Sequence, residues 1–157
     1  MPLIHLTTFI TAPLDRVFKL SLSVDLHKYS MKHYDERIVD GVMSGLMKLH
    51  DTVTWRAKHL FRERRMTVKI TSLEAPHLFT DEQQQGPFQL MKHEHYFKEV
   101  ENGTIMIDQF RFNSKGFAGK LFDQLYIEKY LKKLLMERNA AIKHAAESTQ
   151  WKQFLNA

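Results

Sequence analysis

Met91-Lys92-His93-Glu94-His95-Tyr96-Phe97-Lys98-Glu99-Val100, then Glu101-Asn102-Gly103, then Thr104-Ile105-Met106-Ile107-Asp108-Gln109-Phe110-Arg111-Phe112 is the stretch that decides the fold. Both runs alternate at a period of two, the signature of half-buried strands. On the first, Met91, His93, His95 and Phe97 share a face. On the second, Thr104, Met106, Asp108, Phe110 and Phe112 do. Asn-Gly readily takes the positive φ angles of a tight hairpin. The strands are therefore expected to pair antiparallel over Phe88–Glu99 and Thr104–Phe112, with these two faces on the same side.

Working upstream, Gln83-Gln84-Gln85-Gly86-Pro87 reads as a polar loop, and Ala75-Pro76 as a break before a strand over His77–Gln83. Glu63–Leu73 alternates Met66, Val68 and Ile70 against Arg65, Thr67 and Lys69. Asp51–Leu60 alternates Val53, Trp55, Ala57 and His59 against Thr52, Thr54, Arg56 and Lys58. Val42–Leu49 reads as a loop or short strand, and Asp40-Gly41 as a turn. Leu3–Ile10 is a breaker-free run of strand formers. Pro13 and Asp15 then suit the first turn of a short helix with an apolar side at Val17, Phe18 and Leu20–Leu22. A second short helix or turn is expected at Asp25–Tyr29.

Downstream, Asn113–Gly119 leads into a long helix over about 117–146. Ile127, Leu131, Leu134, Leu135, Ile142 and Ala145 fall on one face at helical spacing, while Lys129, Lys132, Lys133 and Lys143 lie elsewhere. Its first turns differ: Phe117, Leu121, Phe122, Leu125 and Tyr126 spread around the circumference. That end is expected either to be buried by loops or to border a ligand entrance or an oligomer contact. Consecutive strands on short turns make an antiparallel sheet, and one amphipathic helix covers one face of it. The fold class is therefore α+β, a curved sheet of six to seven strands wrapped around the long helix. Residues 1–147 form a single domain, with 148–157 as a C-terminal tail.

The chain has 157 residues with 23 Lys+Arg against 18 Asp+Glu, a net charge of +5. The basic residues form no arm interleaved with stacking aromatics, so no nucleic-acid partner is expected. Cysteine is absent, which excludes disulfides, iron–sulfur clusters, thiolate zinc sites and cysteine nucleophiles. No apolar run approaches the ~18 residues of a membrane span, and Met1–Pro13 lacks the pattern of a signal peptide. A cytoplasmic protein without stable membrane insertion is expected, as monomer or homodimer. Nucleotide-binding, hydrolase-elbow and zincin motifs are not found.

Ile10-Thr11-Ala12-Pro13-Leu14-Asp15-Arg16-Val17-Phe18 resembles the opening of the START and birch-pollen-allergen superfamily, also called SRPBCC. Ser44-Gly45-Leu46, Asp51-Thr52-Val53-Thr54-Trp55, Lys92–Phe97 and Arg138-Asn139 are similar to a bacterial ligand-binding subgroup of it. That subgroup commonly has glycine where this chain has His50, before Asp51. The resemblance covers about residues 3–147. It implies a helix-grip fold, a seven-stranded antiparallel sheet curled around the C-terminal helix with a cavity between them. It also implies use of that cavity for lipids, sterols, polyketides or other hydrophobic molecules, with polyketide cyclases as the members that do chemistry there.

Strand parity places His59 with Trp55, His93 and His95 with Phe97, and Asp108 with Met106 and Phe110. His59, His93, His95 and Asp108 are thus the candidates for polar chemistry in a cavity; no catalytic role is assigned among them. A carboxylate can orient a histidine or raise its pKa for acid–base work. The same residues can instead form a buried polar cluster that satisfies its own hydrogen bonds, or a metal site if a third ligand joins. They face solvent if the strand phase slips by one. No metal and no cofactor is expected. Asp81-Glu82 reads as a solvated strand end, and Arg62, Arg64, Arg65, Lys58 and Lys69 as a solvated basic face.

The expected ligand-binding wall is Trp55, Val68, Phe79, Met91, Phe97, Met106, Phe110, Phe112, Tyr126 and Tyr130, with Met66 and the inner helix face. Apolar walls with a few convergent polar groups suit small molecules, and the eight methionines favour an adaptable wall. The leading expectation is binding of a small hydrophobic ligand, lipid-like, polyketide or aromatic, without catalysis. The alternative is a cyclase- or dehydratase-like enzyme using the His/Asp cluster. A third reading is a regulatory, surface-acting protein, for which the sequence offers nothing specific.

Overall fold

The structure is a computed structural model. It describes residues 1–59, 61–114 and 120–156, the side chains of 120–123 excepted. Seven strands form one antiparallel sheet: β1 (Leu3–Ile10), β2 (Arg37–Gly41), β3 (Thr52–His59), β4 (Arg62–Glu74), β5 (Leu78–Gln85), β6 (Phe88–Val100) and β7 (Gly103–Ser114). Their spatial order is β1-β7-β6-β5-β4-β3-β2. The six later strands thus meander in chain order, and β1 pairs with the last of them. Helices α1 (Leu14–Ser21) and α2 (Val24–Ser30) lie between β1 and β2, α3 spans Lys120–Glu147, and α4 covers Trp151–Leu155. The architecture is the expected helix-grip arrangement, with the full seven strands.

The hairpin that decided the fold pairs Phe97 with Met106, His95 with Asp108 and His93 with Phe110. Its buried positions fall at every second residue: Met91, His93, His95 and Phe97 on β6, Thr104, Met106, Asp108, Phe110 and Phe112 on β7. The turn sits one residue earlier than the Asn-Gly pattern implies. Val100 pairs with Gly103, and Asn102 alone takes the left-handed conformation, at φ 65°. Gly103 is needed for a different reason. A Cβ there would lie 2.4 Å from the Ile10 carbonyl oxygen, because the end of β1 pairs with β7 beside the turn, Ile10 against Thr104.

Three local readings need correction. Gln83–Gln85 are strand, not loop: β5 runs through Gln85, with Val68 paired to Gln83 and Thr67 to Gln85. Cross-strand bonding to β4 outweighs the polar composition. Asp40-Gly41 belong to β2. Residues 148–157, read as a tail, carry α4 and bury Phe154 at 5% exposure, its ring 5.7 Å from that of Tyr29. An apolar pair at Trp151 and Phe154 can face the core within one helical turn. His50, at the position where the similar subgroup has glycine, has φ 73° and donates its N–H to the Ile70 carbonyl at 2.9 Å.

Helix α3 lies across the concave face of the sheet. Ile142 and Ala145, toward its C-terminus, are fully buried. Arg16 reaches the Ala146 carbonyl at 3.1 Å, and the Thr11 N–H donates to Glu147 at 2.9 Å, so this end of α3 is tied to the start of α1. Ile127, Leu131 and Leu134, nearer the N-terminus, are only half-buried. They line a void between the helix and the sheet. Of the residues expected to crowd the helix start, Leu125 and Tyr126 are exposed at 53% and 56%; Phe117 and the side chains of Leu121 and Phe122 lie outside what the structure describes.

Candidate functional site

The void between sheet and α3 is a cavity of about 390 Å³, within the usual range of small-molecule pockets. Its wall takes inward residues from β3 to β7, from α2 and from α3. Trp55, Val68, Phe79, Met91, Phe110 and Tyr130 line it, as does Met66. The other expected wall residues lie elsewhere. Phe97 packs edge-on to Phe18, their centroids 5.3 Å apart. Met106 is fully buried, with its sulfur 3.6 Å from the Ser21 hydroxyl. Phe112 is fully buried against Phe88 and Phe110. Correct parity put these three inside, but α1 and the neighbouring rings fill the space in front of them, making them core. Tyr126 is not inside at all; it is on the outer side of α3, one residue from the inward Ile127.

His93, His95 and Asp108 are buried, at 5%, 1% and 0% exposure. His93 Nε2 lies 2.8 Å from Asp108 Oδ1. The other carboxylate oxygen of Asp108 accepts from Asn139 Nδ2 at 2.6 Å, and the Arg138 guanidinium stands 3.6 Å from Oδ1. His95 Nε2 lies 2.7 Å from Asp81 Oδ2. The two imidazoles face each other with centroids 3.7 Å apart, and Phe79 stacks on His95 at 4.0 Å.

Burial works against the charge on Asp108, but the hydrogen bond from His93, the adjacent His95 and the positive charge of Arg138 outweigh it. The carboxyl is held well below its ordinary range. Asp81 is also lowered, with burial opposed by the His95 hydrogen bond and the charges of His93, His95 and Arg138. Burial, then the neighbouring His95, push His93 down to about 4 despite its bond to Asp108. At neutral pH His93 is therefore a neutral imidazole. An ionised carboxylate only accepts, so Nε2 carries the His93 proton and Nδ1 the lone pair.

His59 is not part of this cluster. It lines the same cavity at the end of β3, where its Nδ1 lies 2.8 Å from the Tyr130 hydroxyl and its ring 5.3 Å from that of Tyr34. Burial lowers its pKa. Beside Trp55, His27 lies 2.6 Å from Glu36. The cavity thus has one deep polar centre and a second polar rim.

Three members of the deep centre escaped the sequence reading: Asp81, Arg138 and Asn139. Asp81 is two residues from Phe79, which parity had placed inside, and the pairing of Asp81 with His93 brings its carboxylate to the cluster. Arg138 and Asn139 extend the apolar stripe by regular helical steps from Leu131 and Leu135. Both signals were present, but charged and amide residues default to solvent.

No protein-family model and no curated protein matches the sequence. Solved structures do match in shape. The di-domain ARO/CYC StfQ of the steffimycin biosynthetic pathway superposes with a TM-score of 0.75 at 13% identity, covering 92% of this chain and 50% of that one. TTHA0849 from Thermus thermophilus gives 0.72 at 16% identity, covering 92% and 99%. A START superfamily protein from Mycobacterium smegmatis gives 0.69 at 10% identity, covering 92% and 97%. With the seven-stranded sheet, the gripped α3 and the cavity between them, these matches show that the chain has the helix-grip fold of the START and birch-pollen-allergen superfamily.

Proposed function

We propose that the protein binds a small hydrophobic molecule, lipid-like, polyketide or aromatic, in the sheet–helix cavity, with a polar group of that molecule directed at the His93–His95–Asp81 centre. The observation that carries this reading is the wall itself. Trp55, Met66, Val68, Phe79, Ile127 and Leu131 surround open space inside the domain, where an apolar void would ordinarily be closed by packing. The half-buried state of the apolar α3 face is the cost of keeping that space.

The test is thermal stability and native mass spectrometry with a panel of fatty acids, sterols and aromatic polyketides. A fitting molecule raises Tm by mass action. Trp55→Ala removes the largest apolar surface of the wall and weakens that binding. A full panel without thermal shift, and a purified protein carrying no small molecule, would refute the reading.

One observation favours a second, catalytic reading of the same cavity. A neutral His93 oriented by a buried carboxylate is the arrangement of a general base, and StfQ, similar in fold, is a di-domain ARO/CYC protein. Under this reading Asp108→Asn abolishes turnover of a polyketide-like substrate while binding persists. Equal loss of both, or no turnover by the wild type, counts against it.

A further inference from the structure

We propose that Asp81, His93 and His95 form a binding site for one first-row divalent transition metal, zinc being the probe. The proposal is independent of the hydrophobic-ligand reading, because it is tested without any ligand.

Among the described residues, these three side chains present one potential ligand atom each, all within 4.8 Å of one another. They stand on the paired strands β5 and β6, where Asp81 is opposite His93, so rigid backbone sets their spacing. In a tetrahedral zinc site with bonds near 2.0–2.1 Å, ligand atoms lie about 3.3 Å apart. The observed separations from Asp81 Oδ2 bracket this value: 2.7 Å to His95 Nε2 and 4.0 Å to His93 Nδ1. The three donors thus already stand within 4.8 Å of one another, close to the spacing a metal would impose.

The surroundings have the chemistry of a supporting shell. A metal-bound imidazole commonly donates its other N–H to a carboxylate. Asp108 is placed to receive both: it accepts from His93 Nε2, which leaves Nδ1 as the free lone pair, and His95 Nδ1 lies 3.3 Å away. That His95 Nδ1 is buried with no hydrogen-bond partner, since in this geometry Nε2 is committed to Asp81. A metal on Nε2 would move the His95 proton to Nδ1, facing Asp108. Charge points the same way. Two carboxylates, Asp81 and Asp108, stand against one guanidinium, Arg138, a balance that favours a cation. All three ligands line the cavity, so coordination positions the protein leaves open give onto it, where an oxygen donor of a bound molecule or water can complete the set.

The experiment strips the protein with a chelator, dialyses it against Zn²⁺ or Co²⁺, and measures bound metal per chain and the Co²⁺ visible spectrum. One equivalent is expected, with zinc shifting the imidazole NMR signals of His93 and His95. Asp81→Asn, nearly isosteric, and His93→Gln should abolish stoichiometric binding. Asp108→Asn should weaken it by about 10–100-fold, the usual effect of losing a supporting partner. His144→Ala, at an exposed position, should leave it unchanged. The proposal is overturned if folded wild type takes up no stoichiometric metal, which would mean that a proton rather than a cation balances the cluster. It is equally overturned if Asp81→Asn retains full affinity, or if zinc leaves the His93 and His95 signals where they were. Should His93→Gln not fold, the wild-type NMR shifts and Asp81→Asn decide the matter.

Discussion

Lowering the pH from 7.5 to 4 should destabilise the protein through His93. The ordinary histidine pKa is about 6.5, and burial beside His95 brings His93 to about 4. The unfolded chain therefore takes up a proton at His93 across this interval while the folded chain does not. Stability then rises with pH and is lost as pH falls through the window between the two values. A displacement of about 2.5 pH units corresponds to about 2 kcal/mol lost by pH 5 and about 3 kcal/mol by pH 4. His93 is 5% exposed, so solvent screening removes little of this. The assay is urea unfolding at a series of pH values in the presence of a chelator, comparing wild type with His93→Gln. The variant should start less stable at pH 7.5, because it loses the bond to Asp108, and show a shallower decline to pH 4. Direct NMR titration of the His93 ring should place its midpoint well below 6. A midpoint near 6.5, or parallel pH curves for the two proteins, would refute the reasoning.

Asp108→Asn should cost about 1–3 kcal/mol in denaturant unfolding, because it sets an amide among the donors His93 and Asn139 and leaves a buried polar group unpaired; an unchanged midpoint would mean that the cluster does not depend on the carboxylate. Gly103→Ala should lower stability by about 1–3 kcal/mol, since its Cβ would meet the Ile10 carbonyl oxygen at 2.4 Å and push β1 away from the hairpin; slowed amide exchange in β1 would contradict this. Phe154→Ala should cost about 3 kcal/mol, the lower range for removing a buried ring, and increase proteolysis after residue 148; no change in either would show that α4 does not brace the domain.

The alternation in Met91–Phe97 and Thr104–Phe112, with the Asn-Gly turn signal between them, was enough to determine which strands pair and which faces are buried, although the turn itself sits one residue earlier. Side-chain direction in a strand depends only on counting residues. That is why His93, His95 and Asp108 could be placed on the inner side from the sequence, and why the stripe through Leu131, Leu135 and Ile142 identified the gripped helix. Counting does not tell how far along a curved strand a residue lies from its neighbours in space. His59 has the right parity, yet it ends β3 beside Tyr130 while the other histidines sit deep in the sheet. Asp81 joins them because β5 registers it against His93, and Arg138 and Asn139 because α3 crosses the sheet at that level. The same depth separates wall from core: Phe97 and Phe112 face inward like Trp55 and Phe110, but α1 and the neighbouring rings close over them. Parity is local and written in the sequence, whereas register, curvature and the crossing point of α3 arise when distant segments pack, and it was these that assembled the cluster and left the cavity open.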